Sequence, residues 1–317
     1  MNYFLYKLKF LTPVHFGESN SAQSLVESKA VLCADTLFSA LCHTALQMQD
    51  SGGPEQLYQM AKQGLLRLSD AFPWKNETLY LPRPFMEPSV RSALPADNMK
   101  LLKKLKYLPL DAYKSYIAGL ASGTPPDPAQ LSCSFGTADS AVKAALQDGE
   151  DTLPYTIGLF RFFHDCGLYF IAGLENDSDF ALLSRLVSAL GVGGIGGKTS
   201  SGYGSFDVTE AGTVKDQVLL QGLSDVHADR QVSLTTSLPC DDELEQAMDG
   251  ASFQLVRRSG FVSSPALPRP RKKEEQVFLA SGSVFGMRYC GDVWNVAPAG
   301  CHPVYRYGIP VFWGVTL

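Results

Sequence analysis

A glycine-rich segment at positions 191–204 holds the side chains best suited to chemistry in this 317-residue chain. Its seven glycines allow peptide N–H groups to approach a ligand closely. A lysine can pair with phosphate, hydroxyls can donate to phosphate or to a 2′-hydroxyl, and a tyrosine ring can stack on a base. The combination predicts a site for single-stranded RNA formed by Gly193, Gly194, Ile195, Gly196, Gly197, Lys198, Thr199, Ser200, Ser201, Gly202 and Tyr203.

Two nucleotide-binding motifs match this segment only superficially. Gly191, Gly193 and Gly196 satisfy the dinucleotide pattern G-x-G-x-x-G, but that motif requires a strand before it and a helix after it. A phosphate-binding P-loop would need glycine at position 192, which is valine, and a helix after Thr199. The sequence Ser-Ser-Gly-Tyr-Gly that follows cannot start a stable helix. The remaining alternative to an RNA site is a purely structural turn between helix and strand.

Three further residues are candidates for RNA contact. His15 lies in the loop after the first predicted strand, and a histidine there could act as general acid or base in attack by a 2′-hydroxyl. No partner for such chemistry is evident, so we expect His15 to pack or to touch RNA. Arg257 and Arg258 end a predicted strand, and we expect one of them to face RNA.

The cysteines do not indicate a metal or disulfide framework. There are seven, an odd number, and none forms a C-x-x-C pair. His164, Asp165 and Cys166 are adjacent, but they lack further spaced ligands and are better explained as a turn. We therefore predict neither a metal site nor a cofactor.

The overall charge restricts how this chain could bind nucleic acid. Its formal net charge is −5, so it has no global basic field. Binding must use a local basic site or be shared with partner subunits. One such cluster is Lys100, Lys103, Lys104 and Lys106, which could reach an RNA backbone or form a solvated helix face. The basic run Pro268–Lys273 is a second, a mobile loop that could touch RNA, although Glu274 and Glu275 reduce its charge.

The elements that must position these residues begin with an alternating strand over Tyr3–Phe10. Asp35 is predicted to cap a first helix, and a second helix is expected over Glu55–Ala71. The prolines of Leu79–Phe85 indicate an edge strand or an extended loop. We interpret about 82–153 as an insertion with little core of its own.

The glycine-rich segment is preceded by a predicted hairpin and a helix. Tyr155–Phe163 and Leu168–Leu174 alternate as strands on either side of a short turn. A helix starting at Ser178 is expected to end with Gly191 at its C′ position, and Tyr203–Val208 to form a strand. The order matches a β-α-β-β-α-β ferredoxin-like unit over residues 1–210.

Residues 211–317 are predicted to form a second, smaller and mainly β domain, also RRM-like. The expected elements are one short helix, Asp241–Met248, and four strands, Val232–Leu238, Phe253–Val256, Ser283–Tyr289 and Pro303–Tyr307. The predicted fold class is thus α+β with two ferredoxin-like (RRM-like) domains, the first with a long insertion. The amino terminus does not resemble a signal peptide and no apolar run reaches about 20 residues, so a cytoplasmic protein is expected.

The segment Gly-Val-Gly-Gly-Ile-Gly-Gly-Lys-Thr-Ser-Ser-Gly-Tyr-Gly-Ser-Phe resembles the carboxy-terminal glycine-rich loop of the RAMP superfamily of CRISPR proteins. The loop Leu11–Gly17 and the helix starting at Asp35–Leu41 are similar to segments of the same superfamily. Four more segments resemble one branch of it, the fourth subunit of the type III-A effector (Csm) complex: Leu81–Phe85, Lys103–Pro109, Ser281–Phe285 and Val304–Gly308.

The resemblance implies a non-catalytic, RNA-binding subunit of a type III-A CRISPR effector ribonucleoprotein in antiviral and anti-plasmid defence. It implies that the chain holds the 5′ handle of the CRISPR RNA. It also implies two protein partners, the large polymerase/cyclase-like subunit and a backbone RAMP subunit. The alternative function is a metal-independent endoribonuclease that processes CRISPR RNA with His15 as acid or base.

Overall fold

A computed structural model describes residues 1–17, 25–28, 30–87, 96–145, 153–262 and 269–316. The helices in these ranges are α1 Ala34–Gln47, α2 Gly53–Lys62, α3 Ala96–Lys104, α4 Leu110–Ser122, α5 Pro128–Leu131, α6 Asp177–Gly193, α7 Gln217–Ser224 and α8 Asp241–Met248. The strands of the first half are β1 Asn2–Phe10, β2 Leu66–Leu68, β3 Phe72–Lys75, β4 Thr78–Pro82, β5 Tyr107–Pro109, β6 Gly136–Ala145, β7 Leu153–Phe162, β8 Cys166–Leu174 and β9 Phe206–Thr213. Those of the second half are β10 Arg230–Ser233, β11 Leu255–Arg258, β12 Phe261–Val262, β13 Arg271–Lys272, β14 Gln276–Leu279, β15 Val284–Phe285, β16 Val293–Asn295, β17 Tyr305–Tyr307 and β18 Phe312–Val315.

The main sheet has the strand order β5-β4-β3-β8-β1-β9, with β2 also pairing with β8. The predicted first strand is confirmed as β1, which pairs antiparallel with both β8 and β9. Its alternating side chains divide between two cores: Tyr6 and Leu8 are buried on one face and Leu5 on the other. This arrangement places the loop after β1 beside the loop that precedes β9.

Helices α1 and α6 cover the first face of the sheet. Leu37 and Phe38 of α1 and Leu186 of α6 are fully buried there. The predicted N-cap of α1 is wrong, because Cys33 occupies that position and Asp35 lies in the first turn. The amide of Ala34 donates instead to the carboxylate of Asp70 at 2.8 Å, so a residue distant in sequence caps this helix.

The opposite face of the sheet is covered by α4 and α7. The described part of segment 82–153, expected to have little core of its own, contributes Tyr113, Tyr116 and Ile117 to this core. They pack with Phe72 and Tyr169 of the sheet. The described part of the segment is therefore an integral layer of the first half, because its apolar side chains complete a core that the sheet would otherwise expose.

Three predicted elements differ from the structure around this core. The helix expected over Glu55–Ala71 ends at Lys62, and Leu66–Leu68 is strand β2, paired with β8. Gly64 has φ of 72°, a conformation that ends the helix at low cost. Strand β4 is internal, between β3 and β5, although edge placement was expected from its prolines. Pro82 is tolerated because it lies at the end of the strand.

The predicted hairpin of two strands around residues 155–174 is correct in its strands and wrong in their pairing. Strand β7 pairs with β6 over ten residues in a separate two-stranded ribbon, the β6–β7 ribbon. Strand β8 is buried along its whole length and pairs with β1, β2 and β3. A strand with both faces apolar is stabilised most in the centre of a sheet, so β8 separates from its sequence neighbour.

The second half contains a three-stranded sheet of order β15-β10-β18, packed with α7 and α8. The predicted helix Asp241–Met248 is confirmed as α8. The strand expected over Val232–Leu238 is shorter, because the hydroxyls of Ser233 and Ser237 bond to the local backbone and turn the chain.

The two halves are joined through buried polar contacts. The carboxylate of Asp70 accepts hydrogen bonds from the amide and hydroxyl of Thr236 at 3.0 and 2.7 Å. The hydroxyl of Tyr307 accepts one from the amide of Leu68 at 2.7 Å. These groups are shielded from water, so each bond is costly to lose. No helix within the described ranges is both long and apolar enough to cross a bilayer.

Candidate nucleic-acid interface

The glycine-rich segment connects α6 to β9, as predicted, but the helix is longer than expected. Gly191 lies inside α6, which extends to Gly193. A Cβ at Gly191 would lie 2.4 Å from the carbonyl oxygen of Phe206, so glycine is required there for close packing of helix and strand. The turn itself starts at Gly194, with φ of 81°.

Several amides of the segment are used by the protein itself. Ile195 donates to the carbonyl of Gly204, Gly197 to that of His15, and Gly204 to that of Pro13. The Ile195 side chain is 1% exposed and belongs to the core, so it cannot contact RNA as predicted except through its backbone. The bonds to His15 and Pro13 hold the glycine-rich segment against the loop that follows β1, and the first bond lies within the segment.

The part of the segment that faces outward is shorter than the predicted eleven-residue list. A short 3-10 turn spans Thr199–Ser201, and Lys198 precedes it with φ of 64°. The amides of Gly196, Lys198, Thr199 and Ser200 donate to no acceptor within the described ranges. Together with the partly exposed Thr199 hydroxyl and the exposed Ser200 and Ser201 hydroxyls, they form a row of unoccupied donors.

The β6–β7 ribbon lies against this donor row. The ammonium of Lys198 lies 4.9 Å from the Tyr155 ring centroid and donates to its hydroxyl at 3.3 Å. The ammonium of Lys143 lies 5.3 Å from the ring centroid of Tyr203. The ribbon therefore adds Lys143 and Tyr155 to the site, where each packs against a residue of the glycine-rich segment.

His15 is fixed between the ribbon and the glycine-rich segment. Its Nδ1 lies 2.7 Å from the carbonyl oxygen of Gly158. A carbonyl can only accept, so Nδ1 is the donor, and Nε2 of the neutral ring is the acceptor. The ring is 7% exposed and lines the groove described next. A Cβ at Gly197 would lie 2.5 Å from His15 Cδ2, so only glycine permits this ring position.

A groove of about 1360 Å³ runs from His15 and Gly197 along α1 to the second half of the chain. It is larger than the ~300–1,000 Å³ that holds a small molecule. Among the described residues that line it, the only acids are Asp35 and Asp70. Its basic lining residues are Arg83, Lys103, Lys104, Lys106, Arg257, Arg258, Lys273 and Arg306.

Arg257 and Arg258 are adjacent in β11, so their side chains point to opposite faces of the strand. Arg258 donates to both carboxylate oxygens of Asp35 at 2.9 and 2.7 Å and to the hydroxyl of Thr36 at 2.9 Å. Burial alone would lower the pKa of Arg258, but Asp35 outweighs it and raises that pKa. The expectation of direct RNA contact therefore falls on Arg257, whose side chain is 71% exposed.

Sequence reasoning missed Arg83 and Arg306 of this groove, whereas Lys273 belongs to the basic run at 268–273 that the sequence made a candidate for RNA contact; part of that run lies outside the described residues. Arg83 follows β4, and Lys273 and Arg306 come from distant segments of the second half. No local pattern links these positions, because they are brought together only when the halves dock. Lys103, Lys104 and Lys106 line the groove, whereas Lys100 is absent from the lining and pairs with Asp97. No group of three or more His, Cys, Asp or Glu within the described ranges is arranged to hold a metal ion.

Two family models match the chain. Residues 7–207 match the model described as the RAMP superfamily, and residues 226–315 match the one described as the CRISPR Csm4 C-terminal domain. Similar curated proteins include the "CRISPR system Cms protein Csm4" of Mycobacterium tuberculosis, 37% identical over 98% of this chain and 97% of the relative. The protein of the same name from Streptococcus thermophilus is 33% identical over 98% of both.

Solved structures share the fold. One, "Crystal structure of Csm3-Csm4 subcomplex in the type III-A CRISPR-Cas interference complex", covers all of both chains with a TM-score of 0.66 and 16% identity. Another, "Crystal structure of Csm1-Csm4 cassette in complex with pppApA", covers 100% of this chain and 99% of that chain with a TM-score of 0.63 and 20% identity. The family models and curated relatives span both halves of the sequence, and the chain belongs to the Csm4 family of the RAMP superfamily of CRISPR proteins.

Proposed function

We propose that this chain is a non-catalytic subunit of a type III-A CRISPR effector complex that holds the 5′ handle of the CRISPR RNA in its basic groove. The observation that carries the proposal is the contrast between the groove and the rest of the molecule. The chain has a formal net charge of −5, yet eight Lys and Arg residues and only two acids line the groove among the described residues. Such local concentration of positive charge attracts a phosphate backbone.

The donor row supports a second type of contact at one end of the groove. Backbone amides at Gly196, Lys198, Thr199 and Ser200 are placed to donate to phosphate oxygens or a 2′-hydroxyl. Tyr203 offers an aromatic surface, with Lys143 close to its ring. The proposed RNA contacts are His15, Arg257 and the outward groups of Gly193–Tyr203, while Arg258 supports the groove through Asp35.

We interpret the first half as a ferredoxin-like unit and the second as a smaller RRM-like one. The order β9-β1-β8-β3 within the main sheet and the two helices on one face support the first interpretation. The expected domain boundary at residue 210 falls inside β9, and a boundary after Thr213 keeps that strand whole. The second interpretation rests on the three-stranded sheet and its two helices.

We further propose two protein partners by analogy with relatives of the same fold. Structures titled as Csm1–Csm4 cassettes and as a Csm3–Csm4 subcomplex match this chain along its length. A large subunit of the Csm1 kind and a backbone subunit of the Csm3 kind are therefore the proposed partners. Their presence is compatible with an acidic overall charge, because partner subunits can supply further basic surface around the RNA.

The test replaces Lys198, whose ammonium lies beside the donor row. Lys198→Ala should weaken binding of a handle RNA and reduce the slope of log affinity against log salt by about 0.7, the value for one lost single-strand phosphate contact. The matched control is Lys215→Ala, because Lys215 is exposed near the opposite face of the main sheet. Affinity is measured by fluorescence anisotropy on the full chain and on the assembled complex.

Two results would contradict the proposal. Equal affinity and equal salt slope for the Lys198 and Lys215 variants would contradict the placement of an RNA phosphate beside Lys198. Metal-independent cleavage of a repeat RNA that disappears in His15→Ala would replace the non-catalytic function by an endoribonuclease. This second measurement is needed because the Gly158 carbonyl holds Nδ1 as a donor and leaves Nε2 able to accept a proton.

A further inference from the structure

The groove contains a second cluster of positive groups, where α1 meets the second half of the chain. His43 of α1 lies near Lys273 and His302 there, and Arg306 and Tyr305 line the same groove. The guanidinium of Arg306 donates to the backbone carbonyls of Arg258 and Glu274, both at 2.8 Å. These bonds fix the position of Arg306 without neutralising its charge, because a carbonyl carries no net charge.

Lys273 is the unusual member of this cluster. Its side chain is partly buried, and its ammonium makes no hydrogen bond or ion pair with another described residue. Burial lowers the pKa of Lys273, and the nearby charges of Arg306 and Arg258 lower it further. Asp35 opposes this effect, but Arg258 already occupies both oxygens of its carboxylate.

The energetic consequence is a partly buried ammonium for which the described residues supply no hydrogen-bonded counter-charge. Removing an ammonium from water costs free energy unless an anion or hydrogen-bond acceptor replaces the lost solvent. Here three cationic side chains lie near the Asp35 carboxylate, which Arg258 already pairs. Glu274 and Glu275 offset part of the charge of Arg306, but neither is hydrogen-bonded to Lys273. A phosphate beside Lys273 would supply the missing counter-charge, and the fixed Arg306 would strengthen its attraction.

We propose that Lys273, with His43 and Arg306 beside it, forms a phosphate subsite separate from the donor row of the glycine-rich segment. The identity of the ligand as RNA rests on the proposed function. The subsite would bind one phosphate group, an internal phosphodiester or a terminal phosphate of the RNA. Lys273 supplies the charge, and the exposed His43 imidazole supplies a hydrogen bond.

The experiment compares Lys273→Gln with Lys273→Arg and with Lys272→Gln. Lys272 is the adjacent residue, but it is absent from the groove lining and pairs with Glu275 at 3.4 Å. Handle-RNA affinity and its salt dependence are measured for each full chain, and urea unfolding checks that each variant is folded. Lys273→Gln should lose about tenfold in affinity, the value of one hydrogen bond to a charged group, and about 0.7 of the salt slope. Lys273→Arg should retain both.

RNAs with a 5′-hydroxyl or a 5′-phosphate identify the source of the phosphate. A Lys273→Gln loss seen with both RNAs indicates an internal phosphodiester, and a loss confined to the 5′-phosphate form indicates the terminal group. The subsite is overturned, and the proposed function kept, if Lys273→Gln equals Lys272→Gln while Lys198→Ala is weakened.

A different result would separate the two proposals in the other direction. If the wild-type chain binds no handle RNA, the proposed function fails, and inorganic phosphate then tests the subsite alone. Stabilisation of wild type, but not of Lys273→Gln, against thermal unfolding by phosphate would support an anion site independent of RNA. Equal stabilisation of both proteins would overturn it.

Discussion

Substitution of Gly197 by alanine tests whether the position of His15 determines RNA binding. The added Cβ would lie 2.5 Å from His15 Cδ2, well inside the normal contact distance of about 3.5–4.0 Å between carbon atoms. Gly197 does not have a positive φ, so alanine introduces no backbone strain. The imidazole must therefore move by about 1 Å, the difference between these distances.

The ring cannot move freely, because two contacts hold it. Its Nδ1 is bonded to the Gly158 carbonyl at 2.7 Å, and the His15 carbonyl accepts the amide of Gly197 at 2.8 Å. Overpacking of this kind costs about 1–3 kcal/mol, and loss of the Nδ1 bond adds about 0.5–1.5 kcal/mol. The two costs together predict an unfolding free energy lower by about 1.5–4.5 kcal/mol, and weaker handle-RNA binding.

The control for stability is Gly193→Ala, four residues earlier in the same segment, and RNA affinity is compared with that of the wild type. A Cβ at Gly193 meets no atom within 4 Å, and the residue ends helix α6, so alanine should be neutral or slightly stabilising. Urea unfolding and fluorescence anisotropy with handle RNA are measured for both variants. A third protein, Gly197→Ala with His15→Ala, removes the clash and should be no less stable than His15→Ala alone.

The outcome that would refute this reasoning is simple. If Gly197→Ala matches Gly193→Ala in stability and the wild type in RNA affinity, the ring of His15 is not confined as described. If Gly197→Ala loses stability but binds RNA normally, the clash is real and His15 is not an RNA contact.

Two other residues give further predictions about the junction of the two halves. Arg258→Ala should lower the unfolding free energy by about 3–5 kcal/mol, because it leaves the Asp35 carboxylate buried without its guanidinium. The control Arg257→Ala, at the exposed neighbouring residue, should change the unfolding free energy measured in urea by no more than about 0.5 kcal/mol. Equal losses in the two variants would mean that the Arg258–Asp35 ion pair does not support the fold. Burial raises the pKa of Asp70, so the folded state keeps its proton to higher pH than the unfolded chain does. The free energy that Asp70 contributes to folding is fully present below about pH 3.9 and is lost as the pH rises through the folded pKa. Asp70→Asn should flatten the pH dependence of the urea midpoint. An unchanged pH profile would contradict the raised pKa of Asp70.

Local sequence patterns predicted the secondary structure well where interactions between neighbouring residues decide the conformation. The alternation of Tyr3–Phe10 and the segment Asp241–Met248 correspond closely to β1 and α8. Predictions failed where distant residues compete with local ones. Asp70 replaces Asp35 at the start of α1, and β8 leaves its neighbour β7 to enter the sheet centre. Neither outcome has a signal within a short window of sequence.

The glycine-rich segment illustrates the same division for the candidate site. Its composition correctly placed a flexible, donor-rich turn between a helix and a strand. The structure reduced the outward-facing part, because Gly191 packs on β9, Ile195 enters the core, and Gly197 bonds to the loop after β1. Glycine abundance alone does not distinguish close packing from ligand access, since both require the absence of a side chain.

The sequence by itself determined the α+β character, the position of the glycine-rich turn and the presence of a charged segment at Lys103–Lys106, because each depends on neighbouring residues. Only the tertiary structure decided that Arg83, Lys273 and Arg306 line the same groove, and that Arg258 is held by Asp35 instead of facing outward. The physical reason is that a groove is made by two surfaces. Its charge depends on which residues the docking of the two halves brings together, and that is set by the buried contacts of Asp70, Thr236 and Tyr307.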